Sequence, residues 1–257
     1  YDNYDWANGI AGISKNLDMS NINAGNFIMN GGQAPFFARP LTASYQTKGQ
    51  ITGAKTNIVG SQNYLYTLNI YDDNNNVIQV QSTNHKGGSE IITTQYDFSG
   101  KVLRTHVKHY KGNTNPQAHD MLTKKEYDHE GRLLKLSKRI DANPERIILQ
   151  NSYNEAGKVK AQIAGNNIES TDYSYNILGW ISGMNENYVN GLGGNNFFGQ
   201  TISYDYGFSV NQFDGNLSGQ QWKSAGDGIR RAYGYSYDNA TRLIAADFNQ
   251  QNEGGSG

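Results

Sequence analysis

Cysteine is absent from the 257 residues, which excludes disulfides and thiolate-held metal sites. Excess charge of either sign is missing too. Lys and Arg number 22 against 23 Asp and Glu, a net charge of −1, so nothing argues for electrostatic binding to nucleic acid or to an acidic membrane. No basic run exceeds two residues, as at Lys124-Lys125. No apolar run approaches the ~20 residues of a membrane helix, so membrane insertion is not expected. Proline is scarce, at 4 residues. Hydrophobic residues, Tyr included and Gly left out, make up 36%. The chain begins with Tyr1 rather than Met and no signal peptide precedes it. It is therefore expected to be a piece of something longer.

What is present points to strands and turns. Tyr outnumbers Phe by 18 to 9, and Gly reaches 30. Tyr suits a half-buried pleated surface, its ring packed and its hydroxyl wet. Gly, Asn and Asp supply the positive φ angles of tight turns. These residues are arranged in a repeat. Tyr127-Asp-His-Glu-Gly-Arg-Leu133 has sister copies at Tyr96-Asp-Phe-Ser-Gly-Lys-Val102 and Tyr153-Asn-Glu-Ala-Gly-Lys-Val159. Looser copies begin at Tyr71, Tyr175, Tyr204 and Tyr237. An irregular period of this size suits a strand-turn-strand unit carrying loops of varied length. The Asp or Asn after each Tyr is placed to cap the turn through its side chain. Gly100, Gly131, Gly157 and Gly179 stand at a constant offset, where a left-handed conformation costs least. Asn76 and Thr241 replace Gly or its neighbours in two copies, and Tyr204-Asp-Tyr-Gly207 is degenerate, so these three turns are expected to be altered.

The chain divides into an irregular lead-in packed on the repeats (1–40), a repeat region (41–252) and a flexible tail (253–257). In the lead-in, 22–29 reads as a short strand or helical turn, and 34–40 as extended by its prolines. Strands are expected to begin near Leu41, with candidates at 45–47 and 56–59 and a strong one at 64–71. No helix is needed after residue 50. Long loops are expected near 111–119, 187–196, 208–216 and 224–228.

The motif Tyr-Asp-x-x-Gly-Lys/Arg-Val/Leu, as at 96–102 and 127–133, resembles the YD-repeat signature of Rhs-type proteins, over residues 60–250. The resemblance implies one long antiparallel sheet of consecutive repeats, curved or coiled as part of a hollow shell. In bacterial relatives such a shell encloses a C-terminal toxin, and a related shell occurs in animal adhesion proteins. By this resemblance the chain is a non-catalytic structural segment of a secreted or cell-surface protein, and it acts by sequestration. The implied partners are the rest of its own chain, including a C-terminal toxin, and a secretion or surface protein. The alternative is an extracellular adhesion or carbohydrate-binding module. A concave apolar face would favour cargo, outward aromatic rows would favour a ligand, and clustered carboxylates or histidines in one pocket would indicate an enzyme.

Other features read as structural. Asp72-Asp-Asn-Asn-Asn76 opens like a calcium loop, but Val77 and Thr83 stand where Gly and Glu are required. His106 and His109 point to opposite faces of a strand. With His85, His119 and His129 they read as scattered surface residues, so no metal site is expected. Gly191-Leu-Gly-Gly194 and Gly31-Gly32 lack the context of a phosphate loop. No cofactor is expected. Trp6, Trp180, Trp222, Phe197 and Phe198 are the candidates for stacking on sugars, against core packing. The Gly131→Val variant is expected to fail in folding, with no separable loss of activity. A well-folded variant of native thermal stability would contradict the turn assignment.

Overall fold

The computed structural model describes residues 3–112 and 117–251. The tail at 253–257 and the middle of the 111–119 loop lie outside the described residues. The rest is almost entirely strand and turn: β1 (Gly53–Asn57), β2 (Tyr64–Tyr71), β3 (Val77–Thr83), β4 (Gly87–Tyr96), β5 (Val102–Gly112), β6 (Ala118–Tyr127), β7 (Leu133–Ile140), β8 (Arg146–Tyr153), β9 (Val159–Ala164), β10 (Glu169–Tyr175), β11 (Ile181–Met184), β12 (Phe198–Ser203), β13 (Gly219–Ser224), β14 (Arg230–Tyr237) and β15 (Leu243–Gln250). Strand order is chain order along an open fifteen-stranded sheet. Neighbours from β1 to β7 pair antiparallel, as do neighbours from β8 to β15. The all-β antiparallel class read from the repeats is the class observed. The chain forms two compact units, Tyr1–Ile148 and Leu149–Gly257.

In the first unit the core lies between β2–β3 and the lead-in. Tyr4, Ala7 and Ile13 from the lead-in meet Leu68, Ile70 and Ile78. Full burial of one such aliphatic side chain is worth ~1.5–3 kcal/mol. A single 3-10 turn, Asp5–Ala7, sets Tyr4 and Ala7 on the sheet. Trp6 packs on Gly53, where an added Cβ would come within 1.9 Å of the ring.

Some local expectations fail. Residues 41–47 form no strand, because they meet the sheet through single bonds such as Ser44 N–H to Tyr71 O (2.7 Å) and not through a ladder. Residues 22–29, by contrast, hold a helical turn, one of the two forms expected of them, with the Phe27 N–H closing on Asn23 O. Segment 34–40 is not extended throughout, since the Phe37 N–H closes a turn on Gln33 O and Phe37 has φ +47°. In the second unit one helical turn, α1 (Glu186–Val189), stands where no helix is expected. Asn185, at φ +53°, reverses the chain after β11, and the Tyr188 amide closes on its carbonyl. The turn seats buried Val189 against Gly199.

The repeat tyrosines share one local structure. Tyr71, Tyr96, Tyr127, Tyr153, Tyr175 and Tyr237 each sit where the ladder slips by one residue. Thus Ile70 faces Gln79 while Tyr71 faces Val77. A bulge of this kind bends its strand and re-aims the side chain. The tyrosine hydroxyl then reaches back to the preceding hairpin. Tyr96 donates to Val77 O (3.0 Å), Tyr127 to Val102 O (3.0 Å), and, in the second unit, Tyr175 to Val159 O (2.9 Å). Val77, Val102 and Val159 are the residues facing the previous repeat tyrosines, Tyr71, Tyr96 and Tyr153. Tyr204 makes the same bond to Ile181 O (3.0 Å) although it lies just past β12, and Tyr71 makes it to Ile51 O (2.9 Å). Tyr237 has the bulge, but its hydroxyl makes no such bond among the described residues.

Each bond ties one hairpin to the next through a phenol. Burial pushes the Tyr96, Tyr127, Tyr175 and Tyr204 phenols up, so they stay protonated and able to donate. Tyr127→Phe keeps the ring and removes only the donor, leaving Val102 O short of a partner. The expected cost is about 1 kcal/mol, read as a lower urea midpoint at unchanged slope. Tyr206→Phe, at an exposed tyrosine, should leave the midpoint alone. Equal midpoints for Tyr127→Phe and the parent would sink the stitch.

Candidate functional site

Each anchor lies at its own turn, and the turns are built alike. The first residue after Tyr donates its main-chain N–H to the carbonyl of the residue four on: Asp97 to Lys101 O, Asp128 to Arg132 O, Asn154 to Lys158 O, Asn176 to Trp180 O. The amide three on closes back, as from Gly131 to Asp128 O. The same Asp or Asn side chain accepts the amide four on, as Asp128 Oδ1 does from Arg132 (2.8 Å). In the Asp turns it also accepts the amide two on. The fourth turn position is left-handed: Gly100 +88°, Gly131 +79°, Gly157 +75°, Gly179 +79°. At Gly131 a Cβ would also strike the Lys101 side chain.

Two turns expected to be altered are not. Asn75 (φ +64°) and Thr241 (φ +57°) take the glycine conformation and keep the same bonds. It is Asn75, not Asn76, that stands in for glycine. Asn tolerates this region through its short polar side chain, whereas β-branched Thr241 is strained there. The Asp72 carboxylate is used by the Asn74 and Asn76 amides and the Asn76 side chain, so it serves the turn. Only the Tyr204 unit departs, with residues 205–217 inserted as an irregular loop.

The built polar surface of the first unit is a feature that the repeats do not announce. Strand register puts Ile70, Gln79, Thr93, His106, Leu122 and Arg139 in one row across β2–β7. Gln95, Arg104, Lys124 and Ser137 form a second row on the same face. The lead-in crosses this face. Gln79 and Gln81 are each 1% exposed and Gln95 2%. Gln81 Oε1 accepts the Ser14 amide (2.7 Å) and its Nε2 donates to Asn16 O (3.0 Å). Gln79 Oε1 accepts the Asp18 amide (2.8 Å) and its Nε2 donates to Asp18 O (3.0 Å). Gln95 Oε1 accepts the Ile28 amide (3.0 Å), and its Nε2 donates to Ile28 O and Arg39 O (2.9 and 3.0 Å). Burying an amide is tolerable only with such partners, and among the described residues no buried side-chain N or O lacks one. Arg104 donates to Leu103 O and Lys125 O and lies against the Phe36 ring. Burial pushes its pKa down, opposed by the Glu126 and Glu145 charges.

The histidines are not all surface residues. His106 is 1% exposed; its Nε2 lies 2.6 Å from Asp120 Oδ1 and Phe27 meets its ring edge-on. His109 pairs with Glu90 (3.2 Å) and His119 with Asp141 (3.1 Å). Burial of His106 follows from the lead-in covering its face, which strand alternation alone does not reveal. Among the described residues no group of three or more His, Asp or Glu could hold a metal ion. No helix among them is long and apolar enough to cross a membrane.

The aromatic candidates separate. Trp6 is packed on Gly53, with its indole N–H on Thr52 Oγ1 (3.3 Å). Trp180 lies over Gly215 and beside Tyr204. Trp222 stacks on Tyr233 (centroids 5.5 Å, 21°), which meets Tyr235 and half-exposed Phe248. Phe197 is 60% exposed. Gln79, Gln81 and Gln95 were not legible as a site. Their only signal is the i, i+2 spacing of Gln79 and Gln81 in a strand.

No family model and no curated protein matches the chain. Among solved structures it is similar to a crystal structure of TcdB2-TccC3-Cdc42 at 13% identity and TM-score 0.36, over 80% of this chain and 12% of that one. A crystal structure of TcdB2-TccC3 without its hypervariable C-terminal region matches at 16% identity and TM-score 0.37, over 72% and 10%. A Photorhabdus luminescens Tc holotoxin pore matches at 9% identity and TM-score 0.30, over 81% and 14%. The chain thus spans about an eighth of the first and a tenth of the second. Likeness of this size fixes neither fold nor function, and the architecture stands on its own strand pairing.

The turn carboxylates carry a pH dependence. Burial opposes the charge on Asp128, but the Arg132 amide and guanidinium and the Glu130 amide outweigh it and hold the carboxyl below its ordinary range. A depressed folded pKa gives stability that is present above the unfolded value, about 4, and is lost as pH falls through the folded one. Asn fills this position at 154 and 176, so Asp128→Asn should fold. Its stability deficit relative to the parent, from urea unfolding, should shrink between about pH 6 and pH 2. A deficit constant over that range would contradict the assignment.

Proposed function

We propose that this chain is a structural wall segment of a secreted or cell-surface Rhs-type protein. Its sheet encloses or carries a C-terminal polypeptide effector and works by sequestration, with no catalysis of its own. The observation that carries this reading is the stitched repeat. The hydroxyls of Tyr96, Tyr127, Tyr175 and Tyr204 bond the carbonyl facing the previous repeat tyrosine, a rule that adds a strand pair at a time without limit of length. The turn acids support it as well, because their carboxylates are occupied by main-chain amides. The partners on this reading are the remainder of the chain, the effector and a secretion or surface protein.

A second reading, a carbohydrate-binding or adhesion surface, is favoured by one observation only, the aromatic ladder of Trp222, Tyr233 and Phe248. Aromatic faces of this kind stack on apolar ring surfaces. Glycan-array binding that Trp222→Ala abolishes would move this reading ahead of the first.

Protease protection tests the wall reading. In the natural full-length protein, the polypeptide following this segment should survive a proteinase K dose that destroys it when made alone. The protection should disappear once the sheet is opened in denaturant. Digestion at the same rate with and without the sheet would end the enclosure reading.

A further inference from the structure

We infer that the cleft at Arg104 is a binding site for a carboxylate, a monoanion gripped by the free edge of the Arg104 guanidinium. The inference goes beyond the wall reading and does not rest on it.

The cleft lies in the first unit, where the lead-in passes over β5 and β6. Residues 24–30 line it together with Arg104 and Lys124, around a space of about 320 Å³. That is the small end of the range for ligand pockets. Arg104 is only 8% exposed, and a charge held out of water is costly unless it is paired. Its hydrogen-bond partners among the described residues are two carbonyls, Leu103 O (2.9 Å) and Lys125 O (3.2 Å), and both bonds use Nη1. The Phe36 ring, 5.3 Å from the guanidinium carbon, adds a cation–π contact but no acceptor.

Nε and Nη2 are left over. Among the described residues no fully buried side-chain nitrogen lacks a partner, so these two reach open space, and the cleft that Arg104 lines is where they reach it. Together they form the side-on fork of the guanidinium, whose two parallel donors match the two oxygens of a carboxylate. The main-chain amides of Met29 and Asn30, which also line the cleft, have no acceptor among the described residues either.

The neighbouring charges select the anion. Glu126 and Glu145 both act on the Arg104 charge from a distance, yet each is engaged elsewhere. Glu145 accepts from Ser137 Oγ on one oxygen and from Lys124 Nζ on the other, both at 2.5 Å. Glu126 lies 3.8 Å from Lys135 Nζ. Lys124, Lys135 and Arg104 thus share two carboxylates, and Arg104 is the cation without one. A single uncompensated charge with two acids nearby suits a monoanion and disfavours a phosphate dianion.

NMR titration of the full chain tests this, followed at the Arg104 Nε–H and at the Met29 and Asn30 amides. The probes are sodium acetate, inorganic phosphate and two end-blocked tripeptides, Gly-Glu-Gly and Gly-Gln-Gly, each compared with sodium chloride at matched ionic strength. Acetate or the Glu peptide should give saturable shifts, and the Gln peptide and chloride should give none. Tighter binding of the Glu peptide would assign the carboxylate to a polypeptide side chain. Equal or tighter binding of acetate would assign it to a free small acid, and either result supports the site. Arg104→Lys keeps the charge but removes the fork, and should weaken binding roughly tenfold, the loss of one charge-assisted hydrogen bond. No saturable shift with either carboxylate, the same shifts with chloride or the Gln peptide, or tighter binding of phosphate would overturn the inference. So would unchanged affinity in Arg104→Lys. If that variant does not fold, the contrast between the Glu and Gln peptides on the parent protein decides.

Discussion

The structure depends on a phenol hydroxyl donated across a bulge. A sheet of short hairpins has little to fix one hairpin against the next, because each tight turn specifies only its own two strands. Main-chain pairing between hairpins is free to slip by two residues without turning any side chain to the other face. The tyrosine removes that freedom. The bulge at Tyr96 or Tyr127 turns the ring off the regular pleat, and the hydroxyl finds one carbonyl, that of the residue facing the previous tyrosine. A slip in register would break the bond and leave a partly buried hydroxyl and a carbonyl unpaired, at a cost of ~1–3 kcal/mol. Raised phenol pKa values follow from the same burial and keep the donor in place.

How much of this is legible in the chain depends on how local its cause is. The turns can be read directly, because Asp128, Gly131 and Arg132 act within five residues of one another. Even the departures at Asn75 and Thr241 preserve the geometry, since the Asp bonds over-determine the turn and absorb the strain at Thr241. The tyrosine spacing is legible as a repeat, whereas the carbonyl each hydroxyl seeks is not, since it lies some twenty residues back. The glutamine row is least legible. Alternation in Val77–Thr83 sets Val80 against Gln79 and Gln81, and the apolar side would be turned inward. The glutamines are buried instead because a lead-in sixty residues upstream in sequence covers them. His106 misleads for the same reason.

The covered face is also not uniformly apolar. Past Leu68 and Ile70 it continues as Gln79, Thr93, His106 and Arg104, with Leu122 among them. Polar groups at this depth add little net stability, but leaving one unpaired is costly. Such a face therefore specifies where its cover lies more strongly than it stabilises it. An apolar lining would hold a covering chain firmly in many positions. An amide lining holds it only where main-chain groups fall on the amides.

The second unit meets the same requirement by other means. The residue before the repeat tyrosine lies on the covered face at Ile70 and Gln95 in the first unit and at Ser203 in the second, whereas Ser152 before Tyr153 is exposed. Register carries that face from Ser203 to Gly219 and on to Gly234. The loop inserted after Tyr204 brings Phe208 onto the two glycines, and a Cβ at Gly219 would lie 2.5 Å from its ring. Glycine here serves close approach and not turn formation, since neither Gly219 nor Gly234 has a positive φ. One unit covers its face with a strap that bonds to amides, the other with a ring seated on bare backbone. Irregularity in the repeat at Tyr204 is thus the counterpart of the lead-in: each is a local departure from the repeat that covers a part of the marked face.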